Sequence, residues 1–303
     1  MPKQSMQRGG ARSGAGAPRR GRKRSNPPRL VDDGKVRLNK FLAEHGLASR
    51  RRCDEMIESG AVFVDGAPET RLGTRIDPTR QTVEVDGVVL KPEDVRHRYY
   101  LLSKPAGVVC TNDERELRRR AVDLIRDPKA GRLFTVGRLD EDTVGLILCT
   151  NDGEFANRVM HPRYGVPKTY RVRVHGRISD EALNGIRDGV YLAEGRTAGA
   201  RVLVQKRSER FSTLVVTLQE GKNREVRRMF AKVGAKVASL IRTRIGPITD
   251  RGLKPGHWRP LTREEVGALL AVSRGEEVAP ILRKKRMRRP RRAPKLRPPG
   301  APG

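Results

Sequence analysis

An acidic turn lies between two apolar segments near the middle of the chain. Residues 133–136 and 146–150 are apolar enough for buried strands, and the sequence between them is a polar run bounded by glycines, Gly-Arg-Leu-Asp-Glu-Asp-Thr-Val-Gly. This pattern predicts a turn that places Asp140 at the strand ends. Arg138 is close in sequence, and a neighbouring cation favours an ionised carboxylate. Asp140 is thus a candidate catalytic residue, although Gly-Arg-Leu-Asp alone is more typical of an ordinary turn.

Basic residues are concentrated at the two ends of the chain. Of the 65 Lys and Arg residues, residues 1–30 contain nine and residues 280–303 contain ten, and neither segment has an acidic residue. These ends are poor in apolar residues, so we expect disordered tails at 1–34 and 277–303. The net charge of +30 indicates a polyanionic partner. RNA or DNA fits better than a membrane, because no amphipathic apolar face accompanies the charge. A solubilising role for the tails fits equally well.

Cysteine spacing and hydropathy exclude several other classes of protein. Cys53, Cys110 and Cys149 are far apart and lack metal-ligand spacing, so the sequence predicts neither a disulfide framework nor a metal site. No apolar run approaches the roughly 18 residues that a membrane span needs. The N-terminus lacks the apolar core of a signal peptide. We therefore expect a cytoplasmic protein that does not bind membranes.

Residues 36–66 predict two short helices followed by a strand. Apolar residues recur at helical spacing until Gly46, and Ser49 is a good N-cap for a second helix over 50–58. The apolar segment 61–64 then predicts a strand that ends in an Asp-Gly turn.

Three consecutive arginines begin the second predicted helix. Arg50, Arg51 and Arg52 would lie beside the positive end of the helix dipole, and the acidic residues of this helix would lie toward its negative end. This arrangement of charges is unfavourable for the helix. A locally unfavourable pattern often has a function. Three guanidinium groups beside free helix-start amides suit phosphate binding. A solvated charged turn explains these residues equally well.

The rest of the ordered chain predicts a larger domain of strands and helices. Several predicted strands follow one another directly, which favours antiparallel pairing and an α+β fold. The predicted strands are 133–136, 146–150, 169–174, 200–205, 212–218 and 237–244. The predicted helices are 154–160, 180–188, 224–233 and 263–272. Thr262 and Glu265 have the spacing of a capping box for the last helix.

Three ordered segments together resemble one known family. They are the run from Gly137 to Gly153, the residue Tyr170, and the sequence Gly-Lys-Asn-Arg-Glu-Val-Arg-Arg-Met-Phe at 221–230. In this order they resemble the pseudouridine synthases that act on ribosomal RNA, in the RsuA/RluB branch, over roughly residues 36–272. The helix–helix–strand unit resembles the S4-type RNA-binding domain, which precedes the catalytic domain in that branch.

The resemblance implies a fold and a reaction. The fold is α+β, with a small S4-type αα-β domain at 35–96 followed by a synthase domain at 97–276 that has a mixed, largely antiparallel sheet. The reaction is the isomerisation of uridine within RNA, in which the base is detached from the ribose, turned and rejoined through carbon. No electrons or phosphate are transferred, so no cofactor or metal is expected. The expected partner is ribosomal RNA, bound by a monomer.

The resemblance also implies three catalytic residues. Asp140 matches the catalytic aspartate, and Arg227 is the expected ion-pair partner of its carboxylate. Tyr170 matches the active-site tyrosine, which is expected to stack on the uracil and to help remove a proton from the base. Without the family, Tyr170 is more typical of an ordinary sheet residue.

Further residues are expected to bind the uridine or the RNA. Arg138 is expected to hold the uridine out of its helix, and Leu240 and Ile241 to form an apolar wall facing the base. Lys222 and Arg224 are expected to contact RNA. The sequence around these two cations is equally typical of an amphipathic surface helix.

The segments 245–248 and 104–107 resemble the RluB members of the branch more than the RsuA members. This resemblance favours 23S large-subunit RNA as the substrate. One alternative is a synthase specific for 16S RNA. Another is a non-catalytic RNA-binding or ribosome-assembly factor on a synthase scaffold, and the intact Asp140, Tyr170 and Arg227 argue against it. A nucleoid-type protein would explain the basic ends but not the acidic turn.

Overall fold

The computed structural model describes residues 34–250 and 252–281. The two predicted tails lie almost entirely outside these residues. The N-terminal part consists of β1 (Val36–Arg37), α1 (Leu38–Glu44), α2 (Arg50–Glu58), β2 (Val62–Val64), β3 (Ala67–Pro68), β4 (Arg75–Ile76), β5 (Val83–Val85) and β6 (Val88–Leu90). The predicted helix over 50–58 is confirmed. Ser49 caps it, because its hydroxyl accepts a hydrogen bond from the backbone N–H of Arg52 at 3.2 Å.

The two N-terminal helices pack against a small antiparallel sheet. Its strand order is β3-β2-β5-β6, and β1 pairs separately with β4. Leu38, Leu42 and Ile57 from the helices bury against Val62 and Val83 from the strands. The turns of both hairpins begin with an aspartate in the left-handed conformation, φ 52°, followed by a glycine. This is the sequence and geometry of a type I′ turn, so the Asp-Gly pairs specify the strand register.

The larger part contains the predicted strands and helices together with several short strands that the sequence did not predict. Its strands are β7 (Tyr99–Lys104), β8 (Phe134–Val136), β9 (Val144–Thr150), β10 (Lys168–His175), β11 (Tyr191–Leu192), β12 (Gly195–Arg196), β13 (Arg201–Arg207), β14 (Phe211–Leu218), β15 (Val237–Ile245), β16 (Ile248–Thr249) and β17 (Trp258–Pro260). Its α-helices are α3 (Gly153–Met160), α4 (Asp180–Asp188), α5 (Glu225–Lys232) and α6 (Arg263–Ser273). Short 3-10 helices cover Pro92–Asp94, Val122–Leu124 and Pro162–Tyr164.

Nine of these strands form one sheet. The order is β13-β14-β10-β15-β9-β7-β17, with β16 added beside β15 and β8 beside β9. The pairing of β15 with β9 is parallel, and the other described pairings in this sheet are antiparallel. The prediction of a mixed, largely antiparallel sheet is therefore confirmed.

A short parallel contact joins the two halves of the sheet. Only two residue pairs connect β9 and β15, Val144 with Ile241 and Gly145 with Arg242. Gly145 has a φ of 111°, and an ideal Cβ there would overlap the Arg242 carbonyl oxygen and lie 2.8 Å from its backbone nitrogen. Since other residues have a Cβ, glycine is required for the strands to approach this closely.

Each half of the sheet has its own apolar core. Helices α4 and α5 cover the half that contains β10, β13 and β14, and helices α3 and α6 cover the half that contains β7, β8 and β9. The first core is represented by Val172, Leu183, Leu214, Met229 and Phe230. The second is represented by Leu101, Leu146, Leu148, Phe155 and Leu269.

Helix α6 begins with the predicted capping box. The Thr262 hydroxyl accepts the backbone N–H of Glu265 at 3.2 Å, and the Glu265 carboxylate accepts the backbone N–H of Thr262 at 2.9 Å. Arg259 also forms an ion pair with this carboxylate at 2.6 Å. No helix within the described residues combines the length and the apolar composition that crossing a membrane requires.

Candidate active site

Asp140 lies in the loop that connects β8 to β9. Both β8 and β15 lie along the same edge of β9, so this loop is at the joint between the two halves of the sheet. Gly137 begins the loop with a φ of 75°, and the backbone N–H of Thr143 donates to the Asp140 carbonyl at 3.1 Å, which closes a turn. The predicted turn between two buried strands is therefore present.

Two arginines of the α5 region approach the Asp140 carboxylate. Arg224 Nη1 is 3.4 Å from Asp140 Oδ2, and Arg227 Nε is 3.8 Å from the same oxygen. The shorter contact of Arg227 is to Asp142, at 2.9 Å. Arg227, expected as the ion-pair partner, is thus within reach of Asp140, but Arg224, expected as an RNA contact, is closer. Arg224 is the N-cap of α5 and has a left-handed backbone, φ 47°, which is unusual for a residue with a Cβ.

A buried lysine that the sequence did not mark as a site residue holds the Asp140 loop in place. Lys104 ends β7 and is 0 % exposed. Its ammonium group donates to the carbonyl oxygens of Pro105 at 3.0 Å, Val108 at 2.7 Å and Glu141 at 3.0 Å. Burial lowers the pKa of Lys104, and the three carbonyls compensate for the lost hydration of the charge. The only signal in the sequence is a lysine inside an apolar strand segment, directly before Pro105.

Most of the residues expected to bind the uridine line one open cleft. Six of the predicted residues line it: Arg138, Asp140, Tyr170, Lys222, Arg224 and Leu240. The cleft lies between the Asp140 loop, strands β10 and β15, and the segment before α5. The tertiary structure thus brings together residues that are up to 102 positions apart in the sequence.

Ile241 is not part of this lining. Leu240 and Arg242 line the cleft, whereas Ile241 between them does not, because successive residues of a strand point to opposite faces. This corrects the expectation that Leu240 and Ile241 form one apolar wall. Tyr170 pairs with Arg242 across β10 and β15, after a register shift between Thr169 and Tyr170. Such a shift cannot be located from the alternation of the sequence.

The inner wall of the cleft contains a buried arginine and a half-buried lysine that the sequence did not indicate. Arg242 is 5 % exposed, and its Nε donates to the Leu146 carbonyl at 2.6 Å. Burial and the nearby Arg242 lower the pKa of Lys168 to about 8, and the Lys168 ammonium donates to the Val159 carbonyl at 3.1 Å. Charged residues at strand positions are normally read as solvent-exposed, so no local signal marked them.

A pair of glutamates lies beside these cations in the same lining. Burial and the neighbouring Glu220 raise the pKa of Glu225 to about 7. One oxygen of Glu225 accepts the backbone N–H of Lys222 at 3.1 Å, and the Lys222 ammonium pairs with Glu220 at 2.9 Å. These contacts hold the segment before α5 in a defined conformation, and that segment carries Arg224.

The arginine triplet of α2 belongs to the N-terminal part and does not line the cleft. All three side chains are exposed. Arg50 donates to the side-chain oxygen of Asn39 at 3.3 Å, and Arg52 forms an ion pair with Glu55. Glu55 thus offsets part of the unfavourable charge at the helix start, and Arg50 and Arg51 have no carboxylate partner among the described residues.

Comparison with known proteins gives consistent results. Residues 98–232 match the family model for RNA pseudouridylate synthase, and residues 36–81 match the S4 domain. Ribosomal large subunit pseudouridine synthase B of Bacillus subtilis is 41% identical over 239 residues, which covers 78% of this chain and 96% of that protein. The protein of the same name from Yersinia pestis is 39% identical over 230 residues, which covers 74% of this chain and 72% of that protein. A crystal structure of a pseudouridylate synthase superposes with a TM-score of 0.56 at 30% identity, covering 77% of this chain and 99% of that one.

Proposed function

Since this chain belongs to the RNA pseudouridine synthase family, we propose that it converts a uridine of 23S large-subunit ribosomal RNA into pseudouridine, acting as a monomer in the cytoplasm. The observation that supports this most directly is the cleft lined by Asp140, Tyr170 and Arg224, with Arg227 3.8 Å from the Asp140 carboxylate. The names of the relatives from Bacillus subtilis and Yersinia pestis support the large subunit. A 16S substrate is the alternative within the same chemistry.

Asp140 is the proposed catalytic residue. The reaction breaks the bond between N1 of the uracil and C1′ of the ribose and forms a bond between C5 and C1′. The C5 proton is lost and N1 gains a proton, so the product is an isomer of the substrate. Asp140 either attacks the sugar or removes a sugar proton, and both roles need an ionised carboxylate. Arg224 and Arg227, at 3.4 and 3.8 Å, stabilise that charge.

The other cleft residues position the base. Tyr170 is proposed to stack on the uracil and to help remove the proton from C5, and Leu240 to contact the base from the apolar side. Arg138 is proposed to hold the extruded nucleotide. Extruding the uridine from its helix costs roughly a few kcal/mol, and stacking and phosphate contacts must offset this cost. Lys222 and Arg224 supply positive charge at the cleft for those contacts.

Mapping of carbodiimide-sensitive sites in ribosomal RNA tests the proposed function. RNA from cells with and without this protein is compared, and the expected result is the loss of a pseudouridine signal in large-subunit RNA when the protein is absent. A signal lost from small-subunit RNA instead would establish the 16S alternative. Identical maps from both cells would contradict the assignment of ribosomal RNA as the substrate.

The N-terminal domain, 35–96, is proposed to dock the RNA through its arginine triplet. Replacing Arg50, Arg51 and Arg52 with glutamine is expected to weaken RNA binding and to reduce the slope of log K against log salt by about 2 to 3, because each lost phosphate contact removes a little under one released counterion. The measurement is the Kd over a range of salt concentrations. The control replaces three exposed cations outside this domain, Arg177, Lys206 and Arg210, and should change the slope less. An unchanged slope for the triplet variant would contradict docking there.

A further inference from the structure

A small hairpin beside the cleft exposes an aromatic ring. Strands β11 and β12 pair Tyr191 with Arg196 and Leu192 with Gly195. Leu192 packs against the apolar core beneath α4, while Tyr191 is 70 % exposed. Adjacent residues of a strand point to opposite sides, so burial of Leu192 directs the tyrosine outward.

The base of this hairpin is held firmly. The backbone N–H of Thr197 donates to the Val190 carbonyl at 2.9 Å, and the Thr197 hydroxyl accepts the N–H of Val190 at 2.9 Å. Gly189 has a φ of 86°, and a Cβ there would overlap the Thr197 carbonyl oxygen. These close contacts present Tyr191 on a rigid support, which lowers the entropy cost of using its ring for binding.

A cation accompanies the exposed ring. The Arg196 guanidinium is 5.9 Å from the centre of the Tyr191 ring, and its Nη2 donates to the Asp188 carbonyl at 3.1 Å. Among the described residues Arg196 has no carboxylate partner. An exposed aromatic ring with an unneutralised arginine beside it is the combination that proteins use to bind unpaired nucleotides, by stacking on the base and by contacting the phosphate.

Two contacts connect the hairpin to the residues around Asp140. Lys222, which lines the cleft, donates to the Arg196 carbonyl at 3.1 Å. Arg228 of α5 binds the Glu194 carboxylate at 2.9 Å. The preceding residue of the same helix, Arg227, binds Asp142 of the Asp140 loop at 2.9 Å. The hairpin is therefore at the rim of the cleft, within reach of nucleotides that flank a uridine bound there.

We propose that Tyr191 and Arg196 form a second RNA-binding position, in which the ring stacks on an unpaired nucleotide next to the target uridine and the guanidinium contacts its phosphate. This inference rests on the proposed function, since it takes RNA as the substrate. It assigns a substrate preference to the hairpin: the target uridine lies in a loop or bulge, and a fully paired strand cannot offer its base to the ring.

The Kd for RNA of the full-length protein tests this role. Two RNAs of the same sequence around the target are used, one with the uridine in a loop and one fully paired. Tyr191→Ala is expected to raise the Kd for the loop RNA about tenfold, the size of one lost stacking contact, and to leave the Kd for the duplex unchanged. Tyr191→Phe keeps the stacking surface and should bind the loop RNA like the wild type.

A charge-matched pair tests the arginine. Arg196→Gln should weaken binding of the loop RNA, whereas Arg210→Gln should not. Arg210 is also exposed and lies near an aromatic ring, 5.6 Å from the centre of the half-buried Phe211. It is at the opposite end of the β10 and β14 strands from Lys168 and the cleft. An equal effect of both changes would mean that general charge, and not this position, is responsible.

Photo-crosslinking locates the nucleotide. A 5-iodouridine placed next to the target should form an adduct with the peptide that carries Tyr191. The adduct should persist in Tyr191→Phe, because the proposed stacking needs the ring and not the hydroxyl. Suppose that Tyr191→Ala leaves both the Kd and the crosslink unchanged while the wild type forms pseudouridine. The proposed function then stands and this inference fails, and the exposed ring would be assigned to binding a protein partner. If binding depends on Tyr191 but no pseudouridine forms, the RNA position stands and the catalytic proposal fails.

Discussion

Replacing Asp140 with asparagine is expected to reduce the rate of pseudouridine formation by about 10³- to 10⁴-fold. The amide has nearly the same size as the carboxylate but carries no charge, so it can act neither as a nucleophile nor as a base. RNA affinity should change little, because the proposed docking positions, the arginine triplet of α2 and the Tyr191 hairpin, do not include Asp140. Single-turnover product formation and the Kd of the same variant are the two measurements.

Asp142 provides the matched control for this change. It is two residues further along the same loop and pairs with Arg227 at 2.9 Å, but its side chain is 56 % exposed, against 23 % for Asp140. Asp142→Asn removes the same charge from the same pair of arginines and should retain most of the rate. A rate close to wild type for Asp140→Asn, or an equal loss in both variants, would contradict the catalytic role of Asp140.

Replacing Gly145 with alanine is expected to lower the free energy of unfolding by about 3 to 5 kcal/mol. The new Cβ would overlap the Arg242 carbonyl oxygen, and the φ of 111° is unfavourable for any residue that has a Cβ. Strand β9 would have to move away from β15, and only two residue pairs hold these strands together. Chemical denaturation measures the loss, and the catalytic rate should fall as well, because this joint positions both Arg242 and the Asp140 loop.

Gly267 is the control for the alanine change. It is exposed in the middle of α6, and an added Cβ meets no atom within 4 Å. Gly267→Ala is expected to stabilise the protein by about 0.5 to 1 kcal/mol, because alanine restricts the unfolded chain and favours helix. If Gly145→Ala were tolerated as well as this variant, the close approach of β9 and β15 would not be needed for the fold.

Local patterns in the sequence were sufficient for most of the elements. The helix over 50–58 depends on Ser49 and on the apolar spacing that follows it, and the capping box of α6 depends on Thr262 and Glu265, three residues apart. The Asp-Gly turns depend on two residues each. These features are predictable because the interactions that stabilise them lie within one turn of helix or one hairpin.

The candidate site was predictable in part. Asp140 is predictable as a candidate because a glycine-bounded polar turn between apolar strands is a local pattern, and Tyr170, Arg138, Leu240 and Lys222 are candidates through the resemblance. The buried Lys104 is not predictable, because a strand lysine is normally exposed and only the packing of β7 against the Asp140 loop buries its ammonium group. The same physical reason applies to Arg242 and to the half-buried Lys168.

Periodicity, caps and turn residues were enough to establish which segments become helices and strands and where the acidic turn lies. They could not show that β9 pairs in parallel with β15, because that contact joins residues almost a hundred positions apart and depends on a single glycine without a Cβ. Nor could they show that Arg224 lies closer to Asp140 than Arg227 does. The distance between a carboxylate in one loop and guanidinium groups on a distant helix depends on how the two halves of the sheet pack, and only the tertiary structure decides that.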